Sequence, residues 1–319
     1  MARVYSRILV TGANGFVGPQ LLARLSGAFP EAKILGTGFK GGALPPGGME
    51  LDIRDAQAVD RAIASVSPDG VVHLAAISQV QQAQQSPRAT FDVNFGGTLN
   101  IAEAMRRHVP QARLLFVSSS EVYGGSFRSA SAPIDETVPL DPMNSYAASK
   151  AAADLLIGQM AHQGLQAIRL RPFNHTGPGQ NDRFVVASFV AQIVGIERGD
   201  QEPVLRVGNL DAQRDFLDAR DIVTAYAQAM AASDLTNGTV LNIASGRARR
   251  IGDILEDLLK RARVAIRILV DPARLRAVEI PVAVGDAGRA RALLDWAPNI
   301  PFEQTLDEML DAQRAKPAS

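Results

Sequence analysis

The chain opens on a pattern that few folds can use. Arg7 to Val10 is a short continuous apolar run, the mark of a strand buried on both faces. It passes at once into Thr11-Gly12-Ala13-Asn14-Gly15-Phe16-Val17-Gly18, and a helical stretch follows from Gln20 to Leu25. Strand, glycine turn and helix in this order form the entry unit of a dinucleotide-binding sheet. Gly12 permits the tight turn, Gly15 lets a pyrophosphate approach the backbone, and Gly18 lets the helix pack closely on the strand. The N-terminus of that helix favours the anion.

Buried-strand patterns return at Lys33 to Gly36, Val71 to Ala76, Leu114 to Val117 and Ala167 to Leu170, with helical stretches between them. The alternation predicts an α/β protein with a Rossmann-type, doubly wound parallel sheet. We place a nucleotide-binding domain at 1–172, with segments around 213–245 returning to it. Residues 173–319 form mainly a smaller, C-terminal mixed α/β substrate domain. A chain of 319 residues suits this, since it can bury roughly three quarters of its unfolded surface.

The charge balance, 33 Lys+Arg against 33 Asp+Glu, supplies no global field for nucleic acid or an anionic membrane. A polyanionic ligand must then be held by local arginines. Without cysteine there is no disulfide and no thiolate nucleophile, and no metal site is expected. The first strand begins too early to leave room for a signal peptide, and no apolar run is long enough to span a bilayer. The expected setting is soluble and cytoplasmic.

The second strand should end on an acidic residue if NAD is bound, because a carboxylate there holds the adenosine ribose. The sequence instead runs Thr37-Gly38-Phe39-Lys40. A missing carboxylate and a present cation suit the 2′-phosphate of NADP(H); the alternative is that Lys40 is an ordinary solvated loop lysine. Asp52-Ile53 sits where a carboxylate would meet the adenine amino group, or else Asp52 is a plain turn residue. Leu74-Ala75-Ala76 are small enough at a strand end for a cofactor to lie against the backbone. His73 reads as a satisfied strand-end histidine, and Asn94 as an organiser of its helix.

Leu114 to Val117 delivers Ser118-Ser119-Ser120-Glu121 to the carboxyl edge of the sheet, where open α/β sheets bind ligands. Further on, Tyr146 and Lys150 stand four residues apart on one helical face. A free phenol titrates near ~10, and a neighbouring ammonium would lower that value. Tyr146 then becomes a proton donor or acceptor, with Ser119 bonding the substrate carbonyl. The plainer reading is a partly buried tyrosine beside a solvated lysine.

Taken together, the glycine turn, Asp52-Ile53, His73-Leu74-Ala75-Ala76, Ser119 and Tyr146-to-Lys150 resemble the extended short-chain dehydrogenases/reductases, which mostly modify nucleotide sugars. Arg171-Pro172-Phe173-Asn174-His175-Thr176-Gly177-Pro178-Gly179-Gln180 resembles the segment that in GDP-4-dehydro-6-deoxy-D-mannose reductases passes under the nicotinamide. Gly208 to Asp218 and Asp271 to Glu279 resemble segments shared with GDP-mannose 4,6-dehydratases. The likeness runs to about Gln313.

It implies a cofactor site of Gly12, Asn14, Gly15, Phe16, Val17, Gly18, Lys40, Asp52, Ile53, Leu74, Ala75, Ala76, Tyr146, Lys150, Pro172 and His175. The nucleotide sugar would face Ser78, Ser119, Glu121 and Asn174. Phe184 and Val185 would line the nucleotide pocket, Arg214 and Arg276 would clamp the diphosphate, and Glu279 would hold the guanosine ribose. Taken without the resemblance, the two arginines read as surface ion pairs, and Trp296 reads as small-domain core.

The implied activity is NADPH-dependent reduction at C4 of a GDP-linked 4-keto-6-deoxyhexose. GDP-D-rhamnose is the favoured product, with the 6-deoxy-talose configuration left open. The rival is a dehydratase or epimerase of the same family, with Ser119 and Glu121 at the positions of the dehydratase threonine and glutamate. A non-catalytic cofactor sensor conflicts with the complete Ser119, Tyr146, Lys150 set. The resemblance also implies a homodimer, built from the helix starting near Asn144, rich in small residues such as Ala148 and Ala152, and the helix around Leu99 to Arg107.

Overall fold

The computed structural model of the chain describes residues 3–39, 41, 44–275 and 280–317. The chain begins with β1 (Arg7–Thr11), α1 (Gly18–Ala28), β2 (Lys33–Gly38), β3 (Met49–Glu50), α2 (Ala56–Val66) and β4 (Gly70–His73). It continues through α3 (Val80–Gln85), α4 (Pro87–Phe91), a π-turn at Asp92–Gly97, α5 (Thr98–His108) and β5 (Arg113–Val117). A 3-10 segment at Ser120–Arg128 precedes α6 (Ser145–His162) and β6 (Ala167–Pro172).

After β6 come β7 (Asn174–Thr176), α7 (Val185–Arg198), β8 (Val204–Val207), β9 (Gln213–Asp218), α8 (Ala219–Ala231) and β10 (Val240–Ile243). The remainder holds β11 (Ala248–Arg250), α9 (Ile251–Lys260), β12 (Arg267–Val270), β13 (Val282–Ala283), α10 (Gly288–Leu294) and α11 (Phe302–Arg314). None of the described helices is long and apolar enough to cross a membrane.

Seven strands pair in parallel in the order β10-β6-β5-β4-β1-β2-β3, which is the doubly wound sheet expected. Its central strands read as continuous apolar runs because helices cover both faces: every residue of β4 is buried, as are four of five in β1. On one face Leu21 and Leu25 of α1 meet Ile222 and Tyr226 of α8. On the other, Ile63, Ile101, Met105 and Ile157 come from α2, α5 and α6. Each such fully buried side chain stabilises the layers by about 1.5–3 kcal/mol. Strand order reverses between β1 and β4, so the connections leaving their carboxyl ends run to opposite faces and open a crevice.

A smaller sheet has β9 between antiparallel β11 and parallel β13, with β7 pairing further along β9. Its core gathers Ile193, Phe216, Leu255 and Leu306 from α7, β9, α9 and α11. Trp296 departs from the sequence reading. It is buried with Leu21 and Tyr226 on the large sheet, and its indole N–H donates to the Asp221 carbonyl at 3.0 Å. The reason is topological: α10, just before it, packs on β10 and α8, so the chain has already returned to the large sheet.

Candidate active site

The glycine turn is shaped by close approach. Gly12 has φ +70°, and a Cβ there would lie 2.7 Å from the backbone N and Cα of Ala75. A Cβ on Gly18 would lie 2.1 Å from the Ala13 carbonyl oxygen. The exits of β1 and β4 are thereby pressed together, with the Leu74 N–H donating to the Thr11 carbonyl at 3.2 Å. Helix α1 starts at Gly18 with no side-chain cap from Val17 and no acidic residue in its first turn. Its first N–H groups and positive dipole end are suited to an anion. The Phe16 ring stacks on His175 of β7, with centroids 6.4 Å apart and planes at 11°. Burial lowers the pKa of His175, and its Nδ1–H donates to the Phe173 carbonyl at 2.9 Å.

Past the end of β2, Phe39 is exposed, and Lys40 lies outside the described residues. Sequence reasoning missed Arg54, whose guanidinium sits 5.5 Å over the Phe39 ring. Arg54 also grips Asp52, Nε to Oδ1 at 2.9 Å and Nη2 to Oδ2 at 2.6 Å, and holds that carboxyl below its usual range. Beside Asp52, Ile53 is buried. The signal available was the i, i+2 spacing of Asp52 and Arg54 in a turn, which is common enough to pass for ordinary surface charge.

His73 is the satisfied strand-end residue expected. Its Nδ1 is 2.6 Å from the Thr11 hydroxyl and its Nε2 3.0 Å from that of Thr98. Burial first, and the Lys150 charge second, pull its pKa down to about 3. Asn94, inside the π-turn, accepts from the Ile77 N–H at 2.8 Å and donates to the Ile77 carbonyl and the Ser149 hydroxyl. It thus fixes the strand-end loop before Ser78 to the middle of the first turns of α6.

Ser119, Glu121, Tyr146 and Lys150 come together where β5 ends and α6 begins. Asn144 caps α6, its Oδ1 accepting from the Ala147 N–H at 2.8 Å. That start places Tyr146 in the first helical turn, buried against the β5 exit. The phenol stands beside the Ser119 side chain. Its pKa is pushed up to about 12, chiefly by burial; the Ser119 hydroxyl acts in the lowering direction and the Glu121 charge in the raising one. The Glu121 N–H donates to Ser119 Oγ at 3.2 Å, and its carboxylate accepts from Asn144 Nδ2 at 3.2 Å.

The expected lowering of Tyr146 by Lys150 is not what the structure shows. Lys150 shares the helix face, but its ammonium donates to the Val117 carbonyl and lies 4.6 Å over the Phe116 ring. Burial there brings its own pKa down to about 8, with Asp154 acting to raise it. Helical spacing sets which face a side chain leaves from, and β5 decides where its end goes. Asp154, one turn on, is fully buried and accepts from Arg169 Nη1 at 2.9 Å and Arg171 Nε at 3.0 Å.

The remaining site residues come from several elements. Pro172 closes β6 and Asn174 opens β7 opposite Phe216. Phe184 precedes α7, and Val185 is its exposed first residue. Arg183 Nη1 donates to Gln79 Oε1 at 2.9 Å, which ties the loop of exposed Ser78 to that of Phe184. Arg214 on β9 donates to the carbonyls of Gln213 and Ile280 at 2.8 and 2.7 Å. Arg276 and Glu279 lie outside the described residues.

This arrangement has relatives. The family model for GDP-mannose 4,6-dehydratase matches residues 48–309. The chain belongs to that family. It is 35% identical over 310 residues to the GDP-6-deoxy-D-mannose reductase of Pseudomonas aeruginosa, covering 95% of this chain and 96% of the relative. The solved structure of RMD from the same organism, complexed with NADPH, superposes with a TM-score of 0.84 at 33% identity, over 98% of this chain and all of the other. A GDP-mannose 4,6-dehydratase of Vibrio cholerae is 30% identical over 81% of this chain and 76% of its own length. Family membership bears out the doubly wound fold and the resemblance to extended short-chain dehydrogenases/reductases. The chain is accordingly an enzyme of that group.

Proposed function

We propose that this family member is an NADPH-dependent reductase of the C4 keto group of GDP-4-dehydro-6-deoxy-D-mannose, forming a GDP-6-deoxyhexose. The observation that carries the reading is the 35% identity over 310 residues to a GDP-6-deoxy-D-mannose reductase, with a protonated Tyr146 phenol at the β5 exit and Glu121 hydrogen-bonded to Asn144. Reduction needs a proton donor at the carbonyl oxygen. Elimination needs a free base for the C5 proton.

The residues present fit a dinucleotide. The Gly12 and Gly18 cradle leaves backbone where a Cβ would intrude, and α1 aims uncapped N–H groups at the turn. Gly12, Asn14, Gly15, Phe16, Val17 and Gly18 would hold the pyrophosphate side, Asp52 and Ile53 the adenine, and Leu74, Ala75, Ala76, Pro172 and His175 the remainder. NADPH supplies the hydride when bound. Lys150 would hold the nicotinamide ribose. Ser119 donates to the C4 carbonyl oxygen and positions it beside Tyr146, which gives up its phenolic proton as that oxygen becomes negative. Glu121 accepts from a sugar hydroxyl. Ser78, Asn174, Phe184, Val185 and Arg214 face the nucleotide sugar, since a diphosphate suits planar guanidinium forks.

In this reading the seven-stranded sheet is the cofactor lobe, and the β9 sheet with α7, α9 and α11 is the substrate lobe. A cytoplasmic homodimer completes the proposal. Supporting it, Leu155 of α6 is 61% exposed beside half-buried Ala148 and Ala152. Such a face is suited to a second copy of α5 and α6. Light scattering at micromolar concentration checks this: a dimer mass supports it and a monomer refutes it.

The activity test follows NADPH absorbance. A stoichiometric fall with the GDP-keto sugar supports the reductase. Consumption of GDP-mannose with catalytic NADP, giving the 4-keto-6-deoxy product at enzyme-like turnover, would establish the dehydratase instead.

A further inference from the structure

We propose that Asn144 is a positioning residue which fixes the Glu121 carboxylate beside the Tyr146 phenol while it caps the helix carrying that phenol. The inference rests on the roles given above to Tyr146 and Glu121, and adds a residue to them. A cap alone does not call for asparagine. The position needs only an acceptor for the Ala147 N–H, and serine, threonine or aspartate supply one about equally well. Asparagine brings a donor on the same planar group, and here the donor is used: Oδ1 faces Ala147 N at 2.8 Å while Nδ2 faces Glu121 Oε2 at 3.2 Å.

The contact is built by the fold and is not a chance meeting of surface groups. Gly124 has φ +46°, and a Cβ on it would lie 1.9 Å from the Asp141 carbonyl oxygen. The Gly125 N–H donates to that carbonyl at 2.8 Å, and the Asp141 N–H donates back to the Val122 carbonyl at 3.1 Å. Two glycines therefore let the segment entering α6 lie directly on the turn that carries Glu121. The result is a closed circuit. The Tyr146 phenol stands beside Ser119, Ser119 Oγ accepts from the Glu121 N–H, the Glu121 carboxylate accepts from Asn144, and Asn144 begins the helix on which Tyr146 sits.

Burial chiefly disfavours the phenolate of Tyr146, and the carboxylate held there acts in the same direction. The device thus sets where the carboxylate stands relative to the phenol at this edge of the sheet.

The test is a double-mutant cycle of Asn144→Ser and Glu121→Gln, read in two ways. Serine keeps the cap and removes the carboxamide NH2, the group that reaches Glu121. Expected for Asn144→Ser is an unchanged NADPH Kd and a roughly tenfold fall in kcat/KM for the GDP-keto sugar. In the Glu121→Gln background the same change should cost less than about twofold, because no carboxylate remains to be held. Thermal unfolding without substrate should show the same coupling between the two positions.

Wild-type kcat/KM in Asn144→Ser would overturn the proposal. So would an equal loss in both backgrounds, or a Tm fall in Asn144→Ala with Asn144→Ser fully active, which is the behaviour of a cap alone. The unfolding arm separates the two readings. If the wild-type chain does not reduce the keto sugar but the coupling in unfolding persists, the reductase reading fails and the contact stands. Active enzyme without coupling leaves the reductase and removes this inference.

Discussion

Asp154 in α6 and Asp215 in β9 are the same residue, both almost wholly buried, and the two halves of the molecule treat them in opposite ways. Behind the catalytic edge, burial pushes Asp154 up, but Arg171 and Arg169 outweigh it and hold the carboxyl below its usual range. In the smaller sheet Asp215 meets only dipoles: the Ser245 hydroxyl at 2.6 Å, its N–H at 2.8 Å and the Gly246 N–H at 2.9 Å. There burial wins and the carboxyl titrates high. Hydrogen bonds can satisfy a buried carboxylate in number while a full opposite charge is needed to offset its desolvation. The large sheet is locked by charge and the small one by geometry.

The sharpest way to break that contrast is to delete each carboxylate. Asp154→Ala strands two largely buried guanidiniums and should destabilise the chain by about 3–5 kcal/mol in urea unfolding. A cost for Asp215→Ala as large as this would end the comparison. Next in size is Tyr146→Phe, which touches no charge pair. It should leave the fold and NADPH affinity intact while cutting turnover by on the order of 10² or more. Wild-type turnover would remove Tyr146 from the proton path.

Smaller still is Asp215→Asn, at about 1–2 kcal/mol, because the amide oxygen can still accept from Ser245 but its NH2 opposes a backbone N–H. The pH dependence separates the two sites by sign. A depressed carboxyl such as Asp154 contributes stability above the ordinary value of about 4, lost as pH falls through its folded value. A raised one such as Asp215 contributes below about 4 and loses that contribution as pH rises through its folded value. Stability gaps between wild type and the Asn variants should therefore widen for Asp215 between pH 7 and about 4, and narrow for Asp154 only as pH falls below about 4. Gaps moving together would contradict the assignment. The least effect belongs to the exposed pair Asp52 and Arg54. Asp52→Ala should cost no more than about 1 kcal/mol, and less in high salt.

The same division governs how much was legible in the sequence. Strands of the large sheet are apolar runs between glycine and helix signals, so their order, the Gly12 to Gly18 turn and the Ser119, Tyr146, Lys150 set could be read residue by residue. Strands of the smaller sheet are short, two residues in β13 and three in β7 and β11, and carry no usable alternation. Arg214 and Asn174 were reached there only through resemblance. Within the legible half, what escaped was distant company. The Lys150 ammonium is drawn to Val117 and Phe116 on β5, and Trp296 is drawn back to α8. Neither partner is visible from local spacing.

The pairing of Val240 with Arg169 and of Ile243 with Pro172 has a consequence for the chain as it is made. β6 emerges from a ribosome well before β10, at synthesis rates of roughly 5–20 residues per second. For several seconds the nascent sheet has every strand but its last, and the bare edge is β6, a largely buried strand beside the nicotinamide end of the proposed site. Open edges of this kind invite pairing with other chains. A chain interrupted between β6 and β10 should consequently be a target for chaperones and proteases, although all of Ser119, Tyr146 and Lys150 have already been made.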